Sequence, residues 1–376
     1  MTIDFIIHDI NKTGGQERST LEIIKNLIVN NKIRVLASSH ADLPEGVIKI
    51  GVPVIFRRPL ILKDFFFRIF VEFLVSRSKT KLTHATGTCA FFSDIFTIQF
   101  IQKRWKQEIH KVQYVSYLTG LKEKIQVFHD SVWESLIFFL NRHRRFIAIS
   151  EQVGQDLKNL YGLKDVVIIP HGVNSTDFSP DPTAAKKFLA LQYPNLGSAA
   201  IFIFVGAFER KGLRTLLQAL SKVDKIRRDW KLIVVGAGPF AEMKKLSQTL
   251  GVLEKIIFVG SQKNVIPFYQ AADLFILPSH YDPFGLVGAE ALACGCPSIL
   301  SKRSGCSELI TEGKNGFVLN DSRDDETLSQ LILKFMENPQ DVELMRKNAR
   351  QSVEQHSWPE VALKYEKAFK EVSQLP

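Results

Sequence analysis

The residues with the most chemistry in them lie in LFILPSHYDPFGLVGAEALACGCPSI, Leu274 to Ile299. Its apolar opening reads as a buried strand ending at Pro278, followed by a loop with His280 and Asp282 and a helix from near Gly285. Glu290 falls inside that helix, whose other residues are nearly all small or apolar. A carboxylate in such a setting is costly unless it has a partner. The spacing puts Asp282 before the helix and Glu290 on its second turn. Both carboxylates can then face one polyhydroxylated ligand, while the amides near Gly285 face a phosphate. The blander alternative is a glutamate with one solvated edge.

Three glycine-bearing turns add to this. VGAFERKGL, Val205 to Leu213, follows a strand at Gly206 and opens a helix, with Arg210 and Lys211 together at the junction. Two cations and free backbone amides make a diphosphate clamp. A solvated basic turn is the alternative, but cations at a helix N-terminus oppose its dipole unless an anion sits there. NKTGGQERS, Asn11 to Ser19, offers Gly14 and Gly15 before the first helix, although the third glycine of a dinucleotide fingerprint is missing. VVGAGPF, Val234 to Phe240, repeats the pattern with Gly236 and Gly238, which a plain tight turn also explains.

Short apolar runs alternate with amphipathic helical patterns almost from end to end, which argues for α/β architecture with parallel sheets. Strand-like runs are Ile3–His8, Ile33–Ala37, Ile95–Phe100 and Phe146–Ile149, then Ile201–Val205, Leu232–Val235, Ile256–Val259 and Leu274–Leu277. Leu21, Ile24, Leu27 and Ile28 mark one face of the first helix, and Leu213–Val223 reads as another. The polar segment PHGVNSTDFSPDPT breaks the pattern. The expected organisation is a first domain over 1–172, a second over 173–357, and a final helix from Trp358 with Pro359 in its first turn. A cleft is expected at the carboxyl ends of the strands.

With 45% hydrophobic and 23% charged residues, the composition is globular rather than disordered. The start, MTIDFIIHDI, lacks a basic segment and a long apolar core, so it reads as a strand rather than a leader. Four cysteines are too few for a disulfide framework and point to a reducing, cytoplasmic setting. Cys294, Cys296 and Cys306 fit no common zinc spacing and read as buried thiols, so no metal is expected. The net charge is +10, most of it in the first half, which suits an anionic lipid or substrate. No nucleic-acid-binding signature accompanies it. FFFRIFVEFLVSRSKTK and WESLIFFLNRHRRF mix aromatics with cations, as helices at an anionic membrane surface do, and a core helix with a basic end does so too.

IAISEQVGQDLKNLYG, IIPHGVNSTDF, FVGAFERKGL, VVGAGPF, YQAADLFILPSHYDPFGLVGAEALACGCPSI and SELITEGKNGFVL stand in this order along the chain. In that order and spacing the sequence resembles the retaining glycosyltransferases of family four, the group 1 glycosyltransferases. GAFERKGL is similar to the form in their lipopolysaccharide-core glucosyltransferases. The resemblance implies the GT-B fold: two Rossmann-like domains facing a cleft, with a C-terminal helix crossing back to the first. It implies transfer of a hexose-type sugar from a nucleoside-diphosphate sugar, a UDP-sugar favoured, to a hydroxyl of a glycan or glycolipid such as lipopolysaccharide core. No cofactor or metal is implied.

By the resemblance, Arg210 and Lys211 bind the donor diphosphate and stabilise the departing nucleotide. Asp282 matches the acidic residue that holds the donor sugar, and Glu290 the one that binds the ribose. Gly206, Gly236, Gln262, Phe284, Gly285 and Leu286 line the donor site, and Gly14 and Gly15 form the N-terminal glycine loop. His84 matches a position at the cleft. Gln99 and Gln102 stand where many relatives carry histidines, one of which contacts the donor sugar. Asp282 itself is one methylene shorter than the usual glutamate. A glutamine hydrogen-bonds a hydroxyl but takes no proton at neutral pH. These two glutamines are the features that would feed a rival reading, a catalytically weak sugar-nucleotide-binding scaffold. An epimerase fits the Arg-Lys and Asp-x7-Glu pattern less well, and no pyridoxal phosphate lysine site suggests a phosphorylase.

Overall fold

Ile3, Phe5 and Ile6 are fully shielded from solvent, as are Val35 and Leu36 on the neighbouring strand. Runs apolar on both faces form parallel strands covered by helices, because only then is every side chain buried. The computed structural model describes residues 1–11, 14–56, 60–78, 82–112 and 117–374. Lys12 and Thr13 of the first glycine turn lie outside these, as do residues 79–81 at the basic end of FFFRIFVEFLVSRSKTK. The chain divides into two compact units, one of 1–106, 126–172 and 356–376, the other of 107–125 and 173–355.

Among the described residues, the main sheet of the first unit holds seven parallel strands: β1 (Thr2–Ile6), β2 (Lys32–Ala37), β3 (Ile48–Gly51), β4 (Leu82–Thr86), β5 (Ile95–Ile98), β6 (Arg145–Ala148) and β7 (Val166–Ile168). Their order is β3-β2-β1-β4-β5-β6-β7. Ile3 registers against Ile33 on one side and Leu82 on the other. The second unit holds β8 (Ala200–Val205), β9 (Trp230–Val235), β10 (Ile256–Gly260), β11 (Leu274–Leu277), β12 (Ser298–Ser301) and β13 (Gly316–Leu319), in the order β10-β9-β8-β11-β12-β13. Each sheet therefore reverses its winding once, between β1 and β4 and between β8 and β11. Crevices for ligands open at such reversals, outside the carboxyl ends of the strands.

β1 stops at Ile6 rather than His8, because Asp9–Ile10 leaves the sheet to pair with Ser39–His40. β5 stops at Ile98, where the Gln99 side chain turns to the first helix, Gly15–Leu27. The last helix, Trp358–Ser373, has Ser357 as its cap and packs beside the first helix. Its Tyr365 and Phe369 rings cover His84 on β4, and Phe369 also reaches Phe5 on β1.

A buried carboxylate joins two other helices. Glu134, on Tyr117–Leu140, accepts from the amides of Gln102 (2.8 Å) and Lys103 (2.9 Å), which begin Gln102–Glu108, and from the Tyr161 hydroxyl. Burial pushes its carboxyl up to about 7, against these stabilising bonds. A raised carboxyl holds its proton more tightly folded than unfolded. Its contribution is therefore full below the ordinary value of 4.5 and is lost as pH rises through about 7. The stability of wild type relative to Glu134→Gln should accordingly fall by on the order of 3 kcal/mol across that window. His8, His84 and His171, held neutral near 3 chiefly by burial, act in the opposite sense below pH 6.5, so the difference between variants is the quantity to measure. Urea unfolding of both proteins at several pH values checks this, and a flat difference would refute it.

Candidate active site

Both switch-point strands of the second sheet end in glycine- or proline-marked turns. β8 ends at Val205, and Gly206 turns with φ at 141°, a conformation other residues rarely adopt. A Cβ there would come within 2.9 Å of Lys211 Cγ, because the lysine stem lies across the turn. Gly236, at the end of β9, packs against the Gly206 carbonyl. From β11 the chain passes Pro278 to His280, whose amide donates to the Arg210 carbonyl at 3.0 Å. That bond fastens the two turns together.

The charged side chains then meet. Lys211 Nζ pairs with Asp282 Oδ2, and both residues are buried. Arg210 Nη1 donates to the Tyr281 carbonyl at 2.9 Å and lies 3.9 Å from Asp282 Oδ1, with its side chain about one-third exposed. Desolvation is the largest influence on Lys211 and lowers its pKa, while Asp282 acts to raise it. A buried ammonium of this kind keeps its charge only through an anionic neighbour. The backbone of Asp282 is fixed on both sides, its amide donating to the Arg303 carbonyl and its carbonyl accepting from Gly305, each at 2.9 Å.

Gly285 (φ 85°) is the N-cap of the Leu286–Ala293 helix. Ser304 Oγ, Cys306 Sγ and Asp282 Oδ2 would all crowd a side chain there. The Phe284 carbonyl accepts from the Cys306 amide, which holds the turn down. Glu290 is 3% exposed, so the reading with a solvated edge fails. Its Oε2 accepts from the Tyr269 hydroxyl at 3.4 Å. Arg210, Lys211, Asp282, Gly206, Gly236, Phe284, Gly285, Leu286 and Glu290 thus all belong to one end of one sheet. Gln262 stands beyond β10 at the same end, its Nε2 donating to the Val259 carbonyl.

In the first unit, Gly14 is the N-cap of the first helix and Gly15 its first residue; the Gly14 amide donates to Asn11 Oδ1 at 3.3 Å. Two readings need correction. His84 is 1% exposed, inside the core on β4, with Nε2 2.7 Å from Thr97 Oγ1 and its ring against Phe5 and Phe369. It has no open surface to offer a ligand, because alternate residues of a strand covered on both faces all point into protein. Gln99 is likewise committed: it accepts from Ser19 Oγ at 2.8 Å and donates to Thr20 Oγ1 at 3.2 Å, tying β5 to the first helix. Gln102 begins a helix, its amide held by Glu134.

The sequence does not single out Tyr269 or Ser304, and it marks Cys306 only as a buried thiol. The small residues Gly285 and Gly288 are the only local sign that something packs there, and Cys306 Sγ fills that space. Burial pushes the thiols of Cys294, Cys296 and Cys306 well up, those of Cys296 and Cys306 to about 12, so they behave as inert packing. Among the described residues no group of three His, Cys, Asp or Glu side chains is placed to hold a metal ion. None of the described helices is long and apolar enough to cross a membrane.

The model for "Glycosyl transferases group 1" matches residues 192–352, and that for "Glycosyltransferase Family 4" matches residues 13–177. A lipopolysaccharide core biosynthesis mannosyltransferase, LpsB, of Rhizobium meliloti is 34% identical over 158 residues, 39% of this chain and 43% of that protein. N-acetyl-alpha-D-glucosaminyl L-malate synthase of Bacillus anthracis is 31% identical over 198 residues, 52% of this chain and 50% of that protein. The chain spans about half the length of the curated relatives it matches. Among solved structures, WaaG, a glycosyltransferase involved in lipopolysaccharide biosynthesis, superposes with a TM-score of 0.80 at 18% identity, over 98% of this chain and 99% of that one. Anabaena HepE in complex with UDP and glucose gives 0.69 at 20% identity, over 100% of both chains. These superpositions establish the GT-B fold: parallel sheets in two Rossmann-like domains.

Proposed function

We propose, since this chain belongs to the group 1, family 4 glycosyltransferases, that it moves a hexose-type sugar from a nucleoside-diphosphate sugar to a glycan or glycolipid hydroxyl, with retention at the anomeric carbon. The observation that carries this reading is the buried Lys211–Asp282 pair with Arg210 beside it, at the switch point of the second sheet.

The pair suggests how the site works. Asp282 offsets the desolvation that lowers the pKa of the buried Lys211. A diphosphate brings its own negative charge to Lys211 and Arg210, and Asp282 is released to accept hydrogen bonds from the donor sugar. As the glycosidic bond breaks, charge grows on the leaving phosphate, and the two fixed cations stabilise it by preorganised electrostatics. Because these cations supply the charge a divalent ion would otherwise supply, the reaction is expected to need no metal. Glu290, held by Tyr269, is suited to accept from ribose hydroxyls. UDP is the favoured nucleotide and lipopolysaccharide core or another cell-surface polysaccharide the favoured acceptor, with the first unit taking the acceptor.

The partner on the lipid side is an anionic membrane surface, at the inner face of the membrane. Phe128, Val132, Leu136 and Phe139 recur every three to four residues on the Tyr117–Leu140 helix and are 45–63% exposed. Lys106 lies over the Phe128 ring and Arg142 over that of Phe139. An apolar stripe edged with cations is the pattern of a helix lying in an anionic interface. Four free, buried thiols suit a reducing compartment.

A thermal-shift panel of nucleoside diphosphates and nucleotide sugars, with and without chelator, tests the donor reading. A ligand that binds only the folded state raises Tm by mass action. The expected result is a shift with the uridine series that survives excess chelator. A shift that disappears with chelator and returns with magnesium would refute metal independence. No shift with any nucleotide would favour the scaffold reading.

A further inference from the structure

The first sheet has a switch point of its own, between β1 and β4, and a group of polar side chains there has no role so far. His8 follows β1, Thr88 and Cys89 follow β4, and the helix Leu60–Ser76 lays Asp64 and Arg68, one turn apart, across the gap. Arg68 is 5% exposed. Its Nε donates to the Thr88 carbonyl at 2.7 Å, and its guanidinium lies 5.6 Å from the Trp133 ring and 6.0 Å from that of Phe91. Among the described residues its Nη1, which is buried, has no hydrogen-bond partner, and no carboxylate is within ion-pair distance of it. His8 Nδ1 is buried and unpartnered too, while His8 Nε2 sits 3.6 Å from Asp64 Oδ1. Each such atom left without a partner costs roughly 1–3 kcal/mol.

The rest of the group is set for hydrogen bonding. Trp133 Nε1 donates to His129 Nε2 at 2.8 Å, so the His129 proton is on Nδ1, which donates to Asp130 at 3.0 Å. Gln126 also donates to Asp130. The side chains of His8, Asp64, His129 and Asp130 are each about one-quarter exposed, so the edge of the group in front of Arg68 is reachable from solvent. Lys63 is answered by Asp9 at 3.5 Å. Arg68 then faces both Asp64 and Asp130, and His8 is held neutral, chiefly by burial. Among the described residues the balance is one negative charge in excess, which disfavours a phosphate or carboxylate. Donors and acceptors interleaved beside a half-buried tryptophan suit the hydroxyls of a sugar ring.

We propose that His8, Asp64 and Arg68, backed by His129 and Asp130, form an acceptor subsite for an uncharged sugar residue, Arg68 Nη1 donating to a ring or hydroxyl oxygen and Asp64 accepting from hydroxyls. The proposal rests on the glycosyltransferase reading and assigns the acceptor class for it: a neutral hexose rather than a uronic acid or sugar phosphate.

Saturation-transfer NMR tests it, using methyl hexosides and methyl hexuronosides at millimolar concentration with saturating UDP. Wild type, Asp64→Asn and Arg68→Lys are compared. Neutral hexosides should bind wild type, lose about tenfold or more in affinity in Asp64→Asn and Arg68→Lys, and outcompete uronosides. Unchanged hexoside binding in both variants overturns the subsite, as does preference for uronosides or no glycoside binding to wild type. The UDP-induced Tm shift is read in each sample. Where it persists in wild type and Asp64→Asn, the donor site and fold stand, and a negative result falls on the subsite alone.

Discussion

Lys211→Ala should lower kcat roughly a hundred- to a thousandfold and abolish the Tm shift produced by nucleoside diphosphate. The rate loss follows from removing one preorganised cation from a site where negative charge develops. The same substitution strands Asp282, which is buried and paired with Lys211. An uncompensated buried carboxylate destabilises a fold by several kcal/mol, or takes up a proton. The single variant therefore confounds stability with chemistry. Adding Asp282→Asn removes the stranded charge. The double variant should regain much of the melting temperature and none of the rate. Recovery of both together would mean that Lys211 serves only to neutralise Asp282, and the proposed role in leaving-group stabilisation would be wrong.

Replacing Phe128 and Phe139 together by aspartate should abolish co-sedimentation with vesicles of phosphatidylethanolamine and phosphatidylglycerol. Each buried aromatic is worth roughly 1.5–3 kcal/mol, so losing two weakens binding at least a hundredfold before the new charges are counted. Both side chains are more than half exposed, and the substitution should leave the melting temperature within a few degrees of wild type. Wild type should bind anionic vesicles more tightly at low salt than at high, because Lys106, Arg142 and their neighbours are screened. Equal binding by both proteins, or none by wild type at low salt, ends the membrane reading.

Much of the second unit could be read from residue order because its signals are local. The Leu213–Val223 helix and the strand Leu274–Leu277 fall where the apolar periodicity puts them, and Gly285 caps the helix before Glu290 as expected. Asp282 and Lys211 are 71 residues apart, yet each stands at the end of a legible strand, so the fold brings them together. What local pattern hid was which polar side chains the core had already used. His84 and Gln99 have the chemistry of ligand contacts, but partners at Thr97, Ser19 and Thr20 claim them, and only the sheet register and the packing of the first helix reveal that. The group around Arg68 was missed for the converse reason. An arginine in FFFRIFVEF looks like the basic edge of an apolar helix until its Nη1 is found buried.

The first unit takes its last piece, 356–376, from beyond the second, whose residues end at Gln355. On a ribosome the second unit is thus fully synthesised while the first still lacks Tyr365 and Phe369, the rings that close over Phe5 and His84. The domain begun first is finished last. Until then its central strands keep an uncovered apolar face, the kind of surface that chaperones hold and that aggregates when they do not. Lesions that remove Tyr365 and Phe369 would consequently cost the cell far more protein than the loss of two rings suggests.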